Sequence, residues 1–176
     1  MSSTRSDIST RLARPGDAGN LRDLAISSFV AAFGSLYSER DLQAFLTANY
    51  TLESWRHAVV RADRPVWVAE TPQGKLSGYA QASPCDLPVD PMPDGALQLR
   101  RLYVDPDTLS AGIGATLMQC VIDWVEAQGR PPLFLGVWSG NAAAQRFYAR
   151  HGFLKVGEYD FPVGERVDRD HILRRD

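Results

Sequence analysis

The stretch from Ala96 to Trp138 constrains the fold more than any other part of the chain. ALQLRRLYV reads as a strand, residues 112 to 128 read as a helix, and PPLFLGVW reads as a second strand. Two strands joined through a helix are expected to lie parallel in one sheet, linked by a right-handed crossover. In the first strand the apolar alternation of Leu97 and Leu99 breaks around Arg100 and Arg101, as a β-bulge would make it do. The helix is well formed, with Ile113, Leu117, Val121 and Trp124 along one face. It nevertheless opens with Gly112 and Gly114, although glycine costs about 1 kcal/mol against alanine inside a helix.

Two readings account for that pair. The first N–H groups of a helix have no carbonyl partners and carry the positive end of the helix dipole, so they suit a phosphate. Glycine removes the Cβ that would keep the phosphate away. Alternatively, the glycines only allow the helix to pack closely on the sheet. Two common phosphate loops are excluded. No Lys-Ser/Thr pair follows, as a P-loop requires, and three residues after Gly114 stands Leu117, where the dinucleotide fingerprint needs glycine or alanine.

The remaining elements complete an α/β order. Ile8 to Ala13 reads as a strand, and Asp17 as the cap of a helix from Ala18 to Phe33 that stops at Gly34. Ser38 should cap a helix running to Asn49, and Thr51 one over Leu52 to Asp63. PVWVAE and LSGYAQAS predict a hairpin, followed by the proline-rich loop PCDLPVDPMPDG. NAAAQRFYARHG reads as a helix ended by glycine, and Phe153 to Asp160 with Arg166 to Leu173 as a last hairpin. The expected fold is a single α/β domain over 1–176, with a mixed sheet of about seven strands and helices on both faces.

With 176 residues and a formal net charge of -2, the chain has no basic character that would suggest nucleic acid. No apolar run is long enough for a membrane span, and MSSTRSDIST is too polar for a secretory signal, so a cytoplasmic location is expected. Cys85 and Cys120 form no framework and have no histidine nearby in sequence. His57, His151 and His171 are scattered, so no metal site is expected.

Two motifs in order add specificity. RRLYVDPDTLSAGIGATL is similar to the acyl-CoA motif of the GNAT superfamily of N-acetyltransferases, in which a strand ending L-x-V leads into Q/R-x-x-G-x-G/A and a helix. VWSGNAAAQRFYARHGF matches the family's N-x-x-A-x-x-F-Y-x-x-x-G-F at Asn141, Ala144, Phe147, Tyr148, Gly152 and Phe153. The element order from Ile8 to Leu173 also fits. Phe29 to Tyr37, read F-x-x-x-F-G-x-L-Y, looks most like the spermine/spermidine-type members. The chain departs from the pattern at Leu109, where the family has Gln or Arg, and at about Gln98, where related proteins often carry a glutamate base.

The resemblance implies a GNAT-like sheet whose parallel strands splay apart around the arm of acetyl-CoA. Leu102, Tyr103 and Val104 would receive that arm, and the Val104 N–H would meet the thioester oxygen as charge develops on it. Ser110, Ala111, Gly112, Ile113, Gly114 and Ala115 would cradle the pyrophosphate. Asn141 would contact the CoA arm or else only cap its helix, and Arg146 or Arg150 would meet a CoA phosphate or only solvent. Tyr148 would give the leaving sulfur its proton, in place of packing in the core. The acceptor implied is a primary amine, a small cationic amine or polyamine among the candidates, with a protein N-terminus or lysine as the alternative. A non-catalytic acyl-CoA-binding module is a third reading. Exposed strand edges often pair in this superfamily, which leaves a homodimer open. From the residues themselves, Asp86, Asp90 and Asp94 in the proline-rich loop are candidates to attract a cationic amine, with Glu39 and Asp41 as weaker ones.

Overall fold

The computed structural model describes residues 8–108 and 112–176. The strands are β1 (Ser9–Leu12), β2 (Val66–Glu70), β3 (Leu76–Pro84), β4 (Leu97–Val104), β5 (Leu133–Trp138), β6 (Leu154–Val163) and β7 (Arg166–Arg175). They form one sheet in the order β1-β2-β3-β4-β5-β7-β6. Every neighbouring pair is antiparallel except β4 and β5, which are parallel. The link between those two runs through α4 (Ile113–Ala127), as the strand–helix–strand pattern requires.

Helices cover both faces. Helices α1 (Ala18–Phe33), α2 (Glu39–Asn49) and α3 (Leu52–Ala58) bury one face around Leu21, Phe29, Leu46 and Trp55. The other face lies under α4 and α5 (Ala142–Arg150), with Leu117, Met118 and Val121 fully buried. Strand β2 serves both: Trp67 and Ala69 join the α4 side, and Val66 and Val68 the α1 side. A strand covered on both faces needs apolar residues at every position, which explains the unbroken run VWVA. Among the described residues no helix is long and apolar enough to cross a membrane.

Ser38 and Thr51 cap their helices as expected, accepting from Asp41 N and Ser54 N. Asp17 does not cap α1 with its side chain. Its carboxylate is taken by the Arg14 N–H at 2.6 Å and by the Arg11 guanidinium at 2.7 and 3.0 Å. Helix α3 ends at Ala58 and not at Asp63. The adjacent β-branched Val59 and Val60 lose side-chain freedom in a helix, Pro65 disfavours helical geometry just before it, and Arg61 instead forms a local ion pair with Asp63. The last hairpin runs longer than expected, because Pro162 sits on an edge strand where a missing N–H is tolerated.

The tightest helix–sheet contact lies on the strand side. A Cβ added at Gly78 of β3 would meet Ile113 Cγ2 at 3.0 Å, Leu117 Cδ1 at 3.1 Å and the Tyr103 carbonyl at 3.0 Å. Gly78→Ala is therefore expected to cost about 1–3 kcal/mol by overpacking. Thermal melting should show a drop of roughly 2–4 °C per kcal/mol.

Candidate active site

Strands β4 and β5 pair at only two positions, Leu97 with Leu133 and Gln98 with Phe134. Beyond them the strands part. The cause is visible across β3, where Gln81 pairs with Arg101 but Ala82 pairs with Leu99, so Arg100 is an extra residue in β4. The bulge also changes which groups face the gap. Before it, the Leu97 N–H points to the β5 side and bonds the Pro132 carbonyl at 2.9 Å. After it, the Asp105 N–H points the other way, to the Ser77 carbonyl at 2.8 Å. Backbone groups alternate along a strand, so Tyr103 exchanges bonds with Tyr79, while Leu102 and Val104 turn their N–H and C=O groups toward the gap. Without the extra residue, Arg101 and Tyr103 would face it instead.

A cavity of about 710 Å³ fills the gap. That is the size of a small-molecule site. Leu102, Tyr103 and Val104 line one side of it, and Gly112, Ile113, Gly114 and Ala115 form its end at the start of α4. Gly112 adopts φ 76°, ψ 6°, a left-handed conformation that favours glycine, and its missing side chain would meet nothing within 4 Å. A Cβ on Gly114 would make only ordinary contacts, 3.6 Å to Phe147 and 3.7 Å to Val104. Close helix–sheet packing therefore explains neither glycine. Gly112 is fixed by its backbone angle, and both leave the first turn of α4 open toward the cavity. Leu109, Ser110 and Ala111, the other positions expected near the phosphates, lie outside the described residues.

Helix α5 supplies the facing wall. Asn141 caps it, its Oδ1 accepting from Ala144 N at 3.0 Å, and it also borders the cavity. Tyr148 lines the cavity and packs edge-on against Phe147 and Phe153 at 5.4 and 5.8 Å between centroids. Its hydroxyl makes no hydrogen bond to any described residue, and burial pushes its pKa up to about 12. At neutral pH it is a proton donor and not a phenolate. Of the two expected arginines, Arg150 borders the cavity and Arg146 does not.

The other half of the cavity was not foreseen. Phe29, Phe33 and Tyr37 of the N-terminal F-x-x-x-F-G-x-L-Y run form part of its wall. Opposite them are Trp138, Tyr159 and Phe161, with Phe33 edge-on to Trp138 at 6.3 Å. The carboxylates here are Asp168 and Asp170 of β7. Asp168 accepts from the Tyr37 hydroxyl and pairs with Arg166 at 2.7 Å. Among the described residues, Asp170 accepts only from the Tyr159 hydroxyl, at 3.3 Å.

No residue of the proline-rich loop lines the cavity, although the loop packs behind two that do, Arg100 and Tyr159. Asp86 pairs with Arg100, and neither Asp90 nor Asp94 forms part of the wall. The loop leads into β4 at Leu97, where β4 and β5 are still paired, whereas the cavity lies at the other end of β4. Glu39 and Asp41 on α2 are likewise outside the wall. Gln98 is buried and its Oε1 accepts from Asp86 N at 3.0 Å, which makes it a loop anchor and not a base. A signal for Asp168 and Asp170 did exist: in RVDRDHIL they share the inward register with buried Ile172, while Val167 is 59% exposed. A strand that turns carboxylates inward and valine outward is lining something polar.

The sequence profile described as the acetyltransferase (GNAT) family matches residues 26–153, which include the glycine turn, the parallel pair and α5. The chain belongs to the GNAT family of acetyltransferases. It is an acetyl-CoA-dependent N-acetyltransferase. A protein of Mycobacterium tuberculosis named as an uncharacterized N-acetyltransferase is 30% identical over 160 residues, covering 91% of this chain and 97% of the relative. An L-methionine sulfoximine/L-methionine sulfone acetyltransferase of Pseudomonas aeruginosa is 29% identical over 117 residues, 66% of each chain. The acetyltransferase also shares its fold with PaiA N-acetyltransferase of Thermoplasma acidophilum, solved in complex with coenzyme A, at a TM-score of 0.78 and 22% identity over 97% of this chain and 99% of that one.

The glycine turn of the acetyltransferase allows a direct test. Gly114→Val has room for its Cβ but sends two methyls into the first turn of α4. The variant should keep its melting temperature and lose at least tenfold in acetyl-CoA affinity by calorimetry. Unchanged affinity would remove Gly114 from the CoA site. Gly112→Ala should instead lose about 1 kcal/mol of stability, because alanine resists the positive φ.

Proposed function

We propose that residues 1–176 act as one N-acetyltransferase domain that moves the acetyl group of acetyl-CoA to a primary amine, cationic in solution, bound in the aromatic half of the cavity. The observation that carries the reading is the short β4–β5 pairing, which leaves Leu102 and Val104 with backbone groups facing the cavity. In this reading the pantetheine amides pair with those groups, and Tyr103 contributes its side chain to the wall. The pyrophosphate sits on the start of α4, with Gly112, Ile113, Gly114 and Ala115 and the preceding Ser110 and Ala111 around it. Asn141 and Arg150 flank the CoA arm.

The Val104 N–H polarises the thioester carbonyl and holds the oxyanion that forms when the amine attacks. The tetrahedral intermediate then expels the sulfur, which takes a proton from the Tyr148 hydroxyl. The neutral state of Tyr148, enforced by its burial, supports that role.

The N-terminal run contributes Phe29, Phe33 and Tyr37 to the acceptor side, which supports a small cationic amine as the acceptor. A protein N-terminus or lysine is the competing acceptor, and release of free thiol with a panel of peptides and small amines separates them. A pure binding module would bind acetyl-CoA and release no thiol with any amine. Cys85 and Cys120 are both free thiols, consistent with a cytoplasmic setting. A homodimer would use one of the two edge strands, β1 or β6.

Tyr148→Phe tests the chemistry. It keeps the ring and its packing and removes only the hydroxyl. The turnover number should fall about 100-fold, with melting temperature and acetyl-CoA affinity unchanged. A phenylalanine variant with wild-type kcat, where chemistry limits the rate, would exclude Tyr148 as the proton donor.

A further inference from the structure

Asp170 is a buried acid with no counter-ion among the described residues. It is 9% exposed. Its neighbour Asp168 differs, since Arg166 and the Tyr37 hydroxyl compensate it. Asp170 pairs across the sheet with Trp138 on β5 and with Tyr159 on β6, so its side chain lies beside theirs in the cavity wall. The Tyr159 hydroxyl reaches it only because position 136 of β5 is glycine. A Cβ there would collide with that hydroxyl. A buried, uncompensated carboxylate is expensive unless a cation arrives to pair with it.

The rest of the wall limits what that cation can carry. Phe33, Trp138 and Phe161 give the same cavity its apolar surface, with Trp138 directly across the sheet from Asp170. Among the described residues that line the cavity, two arginines have no carboxylate partner: Arg150 on α5, assigned above to the CoA arm, and Arg101, held over the Tyr50 and Trp55 rings at 4.8 and 5.3 Å. Arg101 would repel a second ammonium. Among its described residues the cavity thus offers one uncompensated carboxylate, apolar walls and two unpaired arginines, which suits a monoamine and opposes a polyamine.

Resting on the acetyl-transfer reading above, we propose that Asp170 binds the ammonium of the acceptor and takes its proton, and that the acceptor is a monoamine with an aromatic or bulky apolar body seated against Phe33, Trp138 and Phe161. One proton passes from the ammonium to the Asp170 carboxylate. The freed lone pair attacks the thioester carbon, a C–N bond forms and the C–S bond breaks. The nitrogen loses its second proton as the amide forms, and the sulfur leaves as thiol with the proton of Tyr148, which the nitrogen's proton replaces through water. Asp170 returns its proton to solvent, so each turnover releases one.

The ionisable groups around Asp170 are Tyr159 on β6 and Asp168 on its own strand, with Arg166 and Tyr37 attached to Asp168. The Asp86–Arg100 pair acts on Tyr159 from further away. Burial raises the Asp170 pKa to about 6, aided by the charge of Asp168 and opposed by the Tyr159 hydrogen bond. The carboxylate is the active form, so kcat/KM for the amine should fall as pH drops through about 6. Removing the Tyr159 hydroxyl removes a lowering contact and should move that limb upward.

The test uses the full chain, acetyl-CoA, and 2-phenylethylamine and spermidine as acceptors. Wild type should acetylate phenylethylamine with the higher kcat/KM. Asp170→Asn should lose at least 100-fold, with unchanged acetyl-CoA affinity and an equal or higher melting temperature. Tyr159→Phe should stay active with its acidic limb shifted up. An Asp170→Asn enzyme with wild-type kcat/KM, a limb that stays in place in Tyr159→Phe, or a preference for spermidine overturns the inference while leaving acetyl transfer standing. Acetyl-CoA binding without thiol release to any amine would instead defeat the acetyl-transfer reading itself.

Discussion

One extra residue at Arg100 sets the geometry of this molecule. A β-strand alternates its backbone groups and its side chains with a period of two, so a single insertion reverses both. Before the bulge, Leu97 and Leu99 fill the core under α4. After it, Leu102 and Val104 continue on that face, while Arg101 and Tyr103 turn to the side of α1 to α3 and meet Tyr50, Trp55 and Tyr79. The same reversal turns the amides of Leu102 and Val104 away from β3. The parallel partner β5 has left by then, so these groups remain available to a ligand. One irregularity thus serves packing and, in the proposed reading, the binding of acetyl-CoA.

The site that results is divided electrostatically. At the start of α4, open N–H groups and the helix dipole favour the anionic end of acetyl-CoA. At the far end the wall is aromatic and carries carboxylates from β7. Between them lie the Val104 amide and the Tyr148 hydroxyl, one suited to developing negative charge on oxygen and the other to a leaving sulfur. The low-dielectric surroundings that raise the tyrosine's pKa strengthen any hydrogen bond formed there.

What the sequence revealed follows from how local each feature is. The bulge appeared as a break in alternation at Arg100 and Arg101, and the α4 turn as two glycines where a helix should avoid them. Asn141 and Tyr148 stand out through the resemblance to the family's second motif, and helical spacing then fixes where they sit relative to each other. The aromatic half of the cavity joins α1, β5, β6 and β7, which are far apart in the chain, so no local pattern marks it. The acidic loop misled for a related reason. Its carboxylates are close to β4 in sequence, yet none of them lines the cavity: Asp86 is paired with Arg100, and the loop joins β4 where the two strands are still paired. Sequence proximity to a strand does not say which end of that strand is open.

The central claim is that the bulge hands the Leu102 and Val104 amides to acetyl-CoA while Tyr103 stays in the sheet. Residue-resolved amide hydrogen exchange tests it most directly, with the protein free and saturated with acetyl-CoA. In the free enzyme Tyr103 should exchange slowly and Leu102 and Val104 faster. Acetyl-CoA should slow those two and leave Tyr103 as it was. A Val104 amide already as protected as Tyr103 in the free enzyme, or one that acetyl-CoA leaves unchanged, would contradict the account.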